Sequence, residues 1–195
     1  MRYLSFDIES TGLREHDIII EYAMIPFDSS TMTFEENLSR EFVVKCPSFE
    51  SLKPQLDPWV IQNNKALIER SHSNGVPILE LKEKLKNYFE SKEVKTYFGN
   101  KKIVLFGKSM NSIDLPFLSR DLGWEFTRTY FHHHVLDLSS VALAMIDLKM
   151  LPPECASGSE LMKHLGYGAV AHTALSDSIN TAKMYFKLLE KFKIT

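Results

Sequence analysis

Asp7 and Glu9 stand two residues apart in the run Arg2 to Glu9. On a strand, both side chains leave from the same face near its end. Two like charges held side by side repel one another unless a cation lies between them, although such a pair is also at home solvated on a sheet edge. Asp114 opens the segment Asp114-Leu115-Pro116-Phe117-Leu118, which reads as the start of a helix, where an Asp is a good cap. Asp177 falls inside the last helical pattern of the chain, where a buried unpaired carboxylate is costly. His172 precedes it by five residues, at or just before the first turn. The four carboxylates together call for a common explanation, and hard divalent cations with oxygen ligands supply one.

The elements that position these residues follow from periodicity. Strands are expected at Arg2 to Glu9, Ile18 to Phe27 and Leu38 to Val44, the second almost continuously apolar, as a strand buried on both faces requires. A helical stretch follows from Pro58, with Ile78, Leu81, Leu85 and Tyr88/Phe89 at helical spacing and Glu80 and Lys84 on the wet side. Ile103 to Phe106 reads as another buried strand, ending at Gly107 ahead of the Asp114 helix. Ligand sites of α/β sheets collect at such carboxyl ends of strands. A short strand at Val135 to Leu138 precedes a helix from Ser139 to about Leu148, which Pro152-Pro153 ends, and Gly158 to Leu165 forms another. Leu175, Ile179, Ala182, Phe186 and Leu189 mark a closing amphipathic helix. The expectation is one α/β domain, residues 1–195, with a mixed sheet covered by helices.

Composition narrows the setting. A chain of 195 residues, 44% of them hydrophobic, buries enough surface to fold without disulfides or a structural metal. Cys46 and Cys155 are too few for a disulfide framework, and no apolar run approaches the ~20 residues of a membrane span, so a cytoplasmic protein with no membrane partner is expected. The net charge of -2 gives no bulk electrostatic case for a protein that coats long nucleic acid.

Asp7-Ile8-Glu9-Ser10-Thr11-Gly12-Leu13 resembles the first motif of the DEDD 3′-5′ exonucleases. Asp114-Leu115-Pro116-Phe117-Leu118 resembles the second and His172-Thr173-Ala174-Leu175-Ser176-Asp177 the third. The histidine five residues before the last aspartate is similar to the DEDDh branch, which includes ribonuclease T, oligoribonuclease and polymerase proofreading exonucleases. The resemblance spans residues 4 to about 189. It implies the ribonuclease H-like fold, a five-stranded mixed sheet with its second strand antiparallel and helices on both faces. Gly107-Lys108-Ser109 and Phe131 to Ser139 look like the corresponding stretches of oligoribonucleases, but His133-His134 stand where those enzymes carry a Tyr-Arg pair.

The resemblance implies metal-dependent release of nucleoside 5′-monophosphates from single-stranded 3′ ends of RNA or DNA, short RNA being the expected substrate. A DNA-directed proofreading-type enzyme and a non-catalytic nucleic-acid-binding protein are the alternatives. Two divalent cations, Mg²⁺ or Mn²⁺, suit an all-carboxylate site. Asp7 is expected to bridge them, Glu9 and Asp177 to complete one site, Asp114 to serve the other, and His172 to act as general base. Backbone N–H groups at Thr11 and Gly12, the apolar Leu13 as a wedge between the last two bases, and the Ser109 hydroxyl are the expected substrate contacts. Leu13 fits plain core equally well, and Ser109 a turn. Consecutive side chains on an extended segment point to opposite faces, so His132, His133 and His134 are not expected to share an ion. The resemblance suggests instead that one of them faces substrate across a homodimer interface. With two divalent ions bound, the formal -2 moves to about +2, which suits a grip on the last few nucleotides of a chain.

Overall fold

The computed structural model describes residues 1–168 and 173–192. Six strands, β1 (Arg2–Ser10), β2 (Ile19–Asp28), β3 (Thr33–Phe34), β4 (Arg40–Val43), β5 (Ile103–Gly107) and β6 (Phe131–Asp137), form one mixed sheet in the order β3-β2-β1-β5-β6, with β4 also on β2. β2 runs antiparallel to β1, whereas β5 and β6 run parallel to it. Between β4 and β5 lie α1 (Phe49–Leu52), α2 (Pro58–Asn63), α3 (Lys65–Asn74), α4 (Ile78–Glu90) and α5 (Lys92–Phe98). Then come α6 (Asp114–Leu122), α7 (Trp124–Tyr130), α8 (Leu138–Asp147), α9 (Gly158–His164) and α10 (Ala174–Lys191). No helix of the described residues is long and apolar enough to cross a membrane.

Alternation along β1 assigns its two faces. Leu4, Phe6 and Ile8 enter a core shared with Leu81 and Leu85 of α4 and Leu118 of α6. On the other face Tyr3 joins Phe27, Phe106, Leu138 and Phe186, and the Phe27 ring lies 5.1 Å from that of Phe106 and 5.3 Å from that of Phe186. Helices therefore cover both faces, as expected.

The sheet has six strands rather than five because the third is split. Pro26 has no N–H, and its carbonyl points to the β3/β4 side, where it accepts the N–H of Glu35 at 2.9 Å. A regular ladder cannot continue past it on that side. β3 pairs with Phe27 and Asp28, the chain turns through a 3₁₀ segment at Glu36–Leu38, and β4 resumes against Glu21 to Met24.

β6 starts four residues earlier than expected, and it is not evenly extended. The step from Ile103 to Leu105 on β5 is matched by the longer step from Phe131 to Val135 on β6. A bulge thus falls on His132 to His134 and removes the simple alternation of faces. The three rings gather, with centroids 4.2 to 4.6 Å apart. The expectation that they point apart is overturned.

α10 has the expected period, and Ala182 and Phe186 are buried as expected, but the rest of the buried face is rotated. Leu175, Ile179 and Leu189 are half-buried, whereas Ala174, Ser178, Thr181 and Ala182 are buried and lie toward the sheet. Small residues let the helix backbone approach closely, so that Ser5 Oγ donates to the Ser178 carbonyl at 2.7 Å. Ala182→Leu is therefore expected to overpack this contact and cost about 1–3 kcal/mol in urea denaturation; unchanged stability would show that α10 is not tightly seated.

Candidate active site

Asp7 and Glu9 lie on the face of β1 that carries Tyr3 and Ser5, toward α10. Asp177 occupies the first turn of α10, where the helix dipole favours an anion. Two contacts fix that turn: Thr173 Oγ1 accepts the Ser176 N–H at 3.2 Å, and Glu21 Oε2 accepts the Ala174 N–H at 2.8 Å. Glu21 is fully buried on β2 directly opposite Glu9, and Arg70 reaches its other oxygen at 3.3 Å. The outcome is that one carboxylate oxygen each from Asp7, Glu9 and Asp177 lies within 4.8 Å of the others. Asp114, at the start of α6, stands outside this trio and is 4% exposed. Its Oδ1 accepts the N–H of Ile8, the residue between Asp7 and Glu9, at 3.2 Å.

Burial raises the carboxyl pKa of Asp7 well above the usual range, and the charges of Asp114, Glu9 and Asp177 add to it. Burial, with Asp177, Glu21 and Asp114, pushes Glu9 up to about 7. Burial also pushes Asp114 up to about 7, although the Ile8 N–H works in the opposite direction. A group of oxygen donors that resists ionising without a counter-charge fits hard divalent cations better than zinc. Asp7, Glu9 and Asp177 are close enough to share one ion, with Asp114 beside them.

The cluster opens on a cleft of about 400 Å³ lined by Asp7, Asp177, Lys108, Ser159, Met162 and Tyr167. The charge of Lys108 acts on both Asp7 and Asp114, and its stem rests on Gly158, where a Cβ would meet its Cδ at 3.0 Å.

The loop after β1 is held from within. Thr11 donates its N–H to the Ile18 carbonyl at 3.0 Å and its hydroxyl to Asp17 at 3.1 Å. Although burial acts to raise it, hydrogen bonds from Arg14 and Thr11 hold the Asp17 carboxyl below the usual range. A Cβ on Gly12 would stand 2.5 Å from Asp17 Oδ2, so the close approach itself requires glycine. The Thr11 N–H is thus engaged inside the loop, which leaves backbone contacts to Gly12. Leu13, by contrast, is 70% exposed, so plain core does not account for it. Ser109, at φ +57°, donates its N–H to Asp137 at 3.0 Å and shares its hydroxyl hydrogen bond with Ser139 at 2.9 Å. That is the turn alternative. His172 lies outside the described residues.

Sequence reasoning missed Glu21, Lys108 and Asp17. A lone carboxylate in the apolar run Ile18 to Ile25 was the available signal for Glu21, because such a group stays buried only with partners. Nothing in the local sequence marks Lys108.

Comparison with solved structures places this geometry. "Cell-death related nuclease 4 (CRN-4)" aligns over 98% of the chain with a TM-score of 0.71 and 16% identity. The nuclease domain of 3′hExo, described as a DEDDh family member bound to rAMP, aligns over 98% with a TM-score of 0.65 and 15% identity. The chain shares its fold with these nucleases. E. coli exonuclease I bound to a dA13 oligonucleotide aligns over 97% with a TM-score of 0.69 and 17% identity. The chain spans 64% of CRN-4, 92% of the 3′hExo domain and 40% of exonuclease I. No family model and no curated protein matches the sequence. Within this fold, Asp7, Glu9 and Asp177 come together near the carboxyl end of β1.

The raised carboxylates set a pH dependence. Because the folded pKa values of Glu9 and Asp114 lie above their unfolded values, the folded chain binds more protons between about pH 4 and 7. Stability of the metal-free protein is therefore expected to fall as pH rises through that window. Mg²⁺ or Mn²⁺ should flatten the fall, read as melting temperature against pH in EDTA and in metal. A metal-free curve that rises through this window would contradict the electrostatics described.

Proposed function

We propose that this chain is a metal-dependent 3′-5′ exonuclease that cuts phosphodiester bonds at single-stranded 3′ ends and releases nucleoside 5′-monophosphates. The observation that carries the reading is the convergence of Asp7, Glu9 and Asp177 within 4.8 Å, with Asp114 tied to the backbone between the first two. Two bound divalent cations would supply charge neutralisation at the phosphoryl oxygens and activation of water. Asp7, Glu9, Asp177 and Asp114 hold that charge in place. His172 takes the proton of the attacking water, a role an imidazole can fill near neutral pH. Lys108, across the cleft, offers the substrate backbone a cation. Leu13 is free to insert between the terminal bases.

Short RNA is the substrate we propose. A DNA-directed enzyme is the second reading, favoured by the likeness to exonuclease I, which was crystallised with a DNA oligonucleotide. An RNA stem-loop is the ligand in one similar structure, a 3′-exonuclease on histone mRNA. The proposal takes residues 1–195 as one exonuclease domain acting as a cytoplasmic homodimer. The presence of all four carboxylates weighs against a non-catalytic binding protein.

End-labelled RNA and DNA of two, five and twenty nucleotides, incubated with Mn²⁺, test the reading directly. A ladder shortening from the 3′ end with nucleoside 5′-monophosphate products is expected, fastest on short RNA; no product from any oligomer would overturn the proposal. Asp7→Asn should abolish the ladder. His172→Ala should slow it about a hundred- to ten-thousandfold while still binding metal, and full activity in that variant would remove His172 from the mechanism. Leu13→Ala should weaken substrate binding more than turnover, seen as a raised KM with kcat largely kept.

A further inference from the structure

The bulge on β6 has gathered three imidazoles that the carboxylate site does not use. One ring nitrogen from each of His132, His133 and His134 lies within 4.8 Å of the others. His133 and His134 are exposed and His132 is half-buried. Nδ1 of His132 accepts the N–H of His134 at 3.0 Å, so this atom carries a lone pair rather than a proton, the state that a ligand nitrogen needs. An ion there would replace one solvent-exposed hydrogen bond. His132 and His134 also line a depression with Met1, Tyr3, Val104 and Leu136. Register places it at the start of the parallel strands, beside Leu4 and Leu105, whereas Asp7 and Glu9 lie toward the far end of β1.

We infer that His132, His133 and His134 form a second metal site, separate from the carboxylates, that takes a borderline transition ion such as Zn²⁺. Imidazole nitrogens suit Zn²⁺, Ni²⁺ and Cu²⁺, whereas Mg²⁺ prefers oxygen, so the two sites select different ions. Tetrahedral zinc with Zn–N bonds of about 2.0–2.1 Å places ligand nitrogens roughly 3.4 Å apart. Exposed rings reach that spacing by small side-chain rotations, because no core has to move. Three ligands leave the fourth position to water. Lys102 and Arg128 bring positive charge to the same edge, which weakens any cation site there, but solvent and salt screen exposed charges.

Equilibrium dialysis of the full chain with Zn²⁺ in millimolar Mg²⁺, compared with the His132→Gln/His134→Gln variant, tests this. The wild type is expected to retain a single further equivalent of Zn²⁺ over the variant. With Co²⁺ as probe, it should show the strong visible absorption of a four-coordinate nitrogen site, which the variant loses. Melting curves in EDTA check that the variant is folded. If it is not, His133→Gln replaces it and is expected to bind Zn²⁺ more weakly. Equal Zn²⁺ uptake by wild type and variant, or unchanged Co²⁺ absorption, would overturn the assignment.

Discussion

Asp7, Glu9, Asp114 and Asp177 bring like charge into a region with little water, and each makes its neighbours harder to ionise. A flexible chain would let them drift apart. What prevents this is the pairing of carboxylates with fixed backbone donors: Ile8 N–H holds Asp114, and Ala174 N–H on buried Glu21 fixes the turn that carries Asp177. The small face of α10 serves the same end, since Ala174, Ser178 and Ala182 allow the helix to lie against β1 where larger residues would hold it off. The electrostatic strain is held in place by secondary structure on both sides.

The surroundings of the cluster divide into a rigid side and an open side. Around the loop after β1, Thr11, Gly12, Arg14 and Asp17 satisfy one another, and Arg120 of α6 donates to the Glu15 and Asp17 carbonyls at 2.6 and 2.8 Å. This leaves Leu13 as the exposed apolar side chain of a loop closed at its centre by hydrogen bonds. Across the cluster, the cleft beneath α9 and α10 carries the cation Lys108 and the ring of Tyr167. A polyanion bound as proposed would meet an apolar projection at Leu13 and positive charge at Lys108.

Much of this was legible in the sequence, for reasons of periodicity. β1, β2, β5 and α6 appear where alternation, apolar continuity and the start at Asp114 place them, and they bring three of the four carboxylates to one end of the sheet; Asp114 is not the expected cap, since it is the first helical residue and its carboxylate takes the Ile8 N–H instead. What was not legible depends on single backbone groups or on neighbours far along the chain. Pro26 splits the third strand through a missing N–H on one side of β2. The face of α10 is legible at Ala182 and Phe186 but not in its first turns, where Ala174 and Ser178 are inside and Leu175 and Ile179 are only half-buried, because close approach to β1 selects small residues there. The histidine run was read as a regular strand, and a bulge leaves no trace in residue type.

That bulge bears on the rim of the sheet. β6 is one edge, and an evenly extended edge presents unpaired N–H and C=O groups onto which another strand can add. Here the repeat is broken at His132 to His134, and the opposite edge is broken in turn into the two-residue β3 and the four-residue β4. Neither rim offers a long straight ladder. Growth of the sheet from one molecule into the next is disfavoured at both ends, and copies of this chain that associate must meet through side chains and helices.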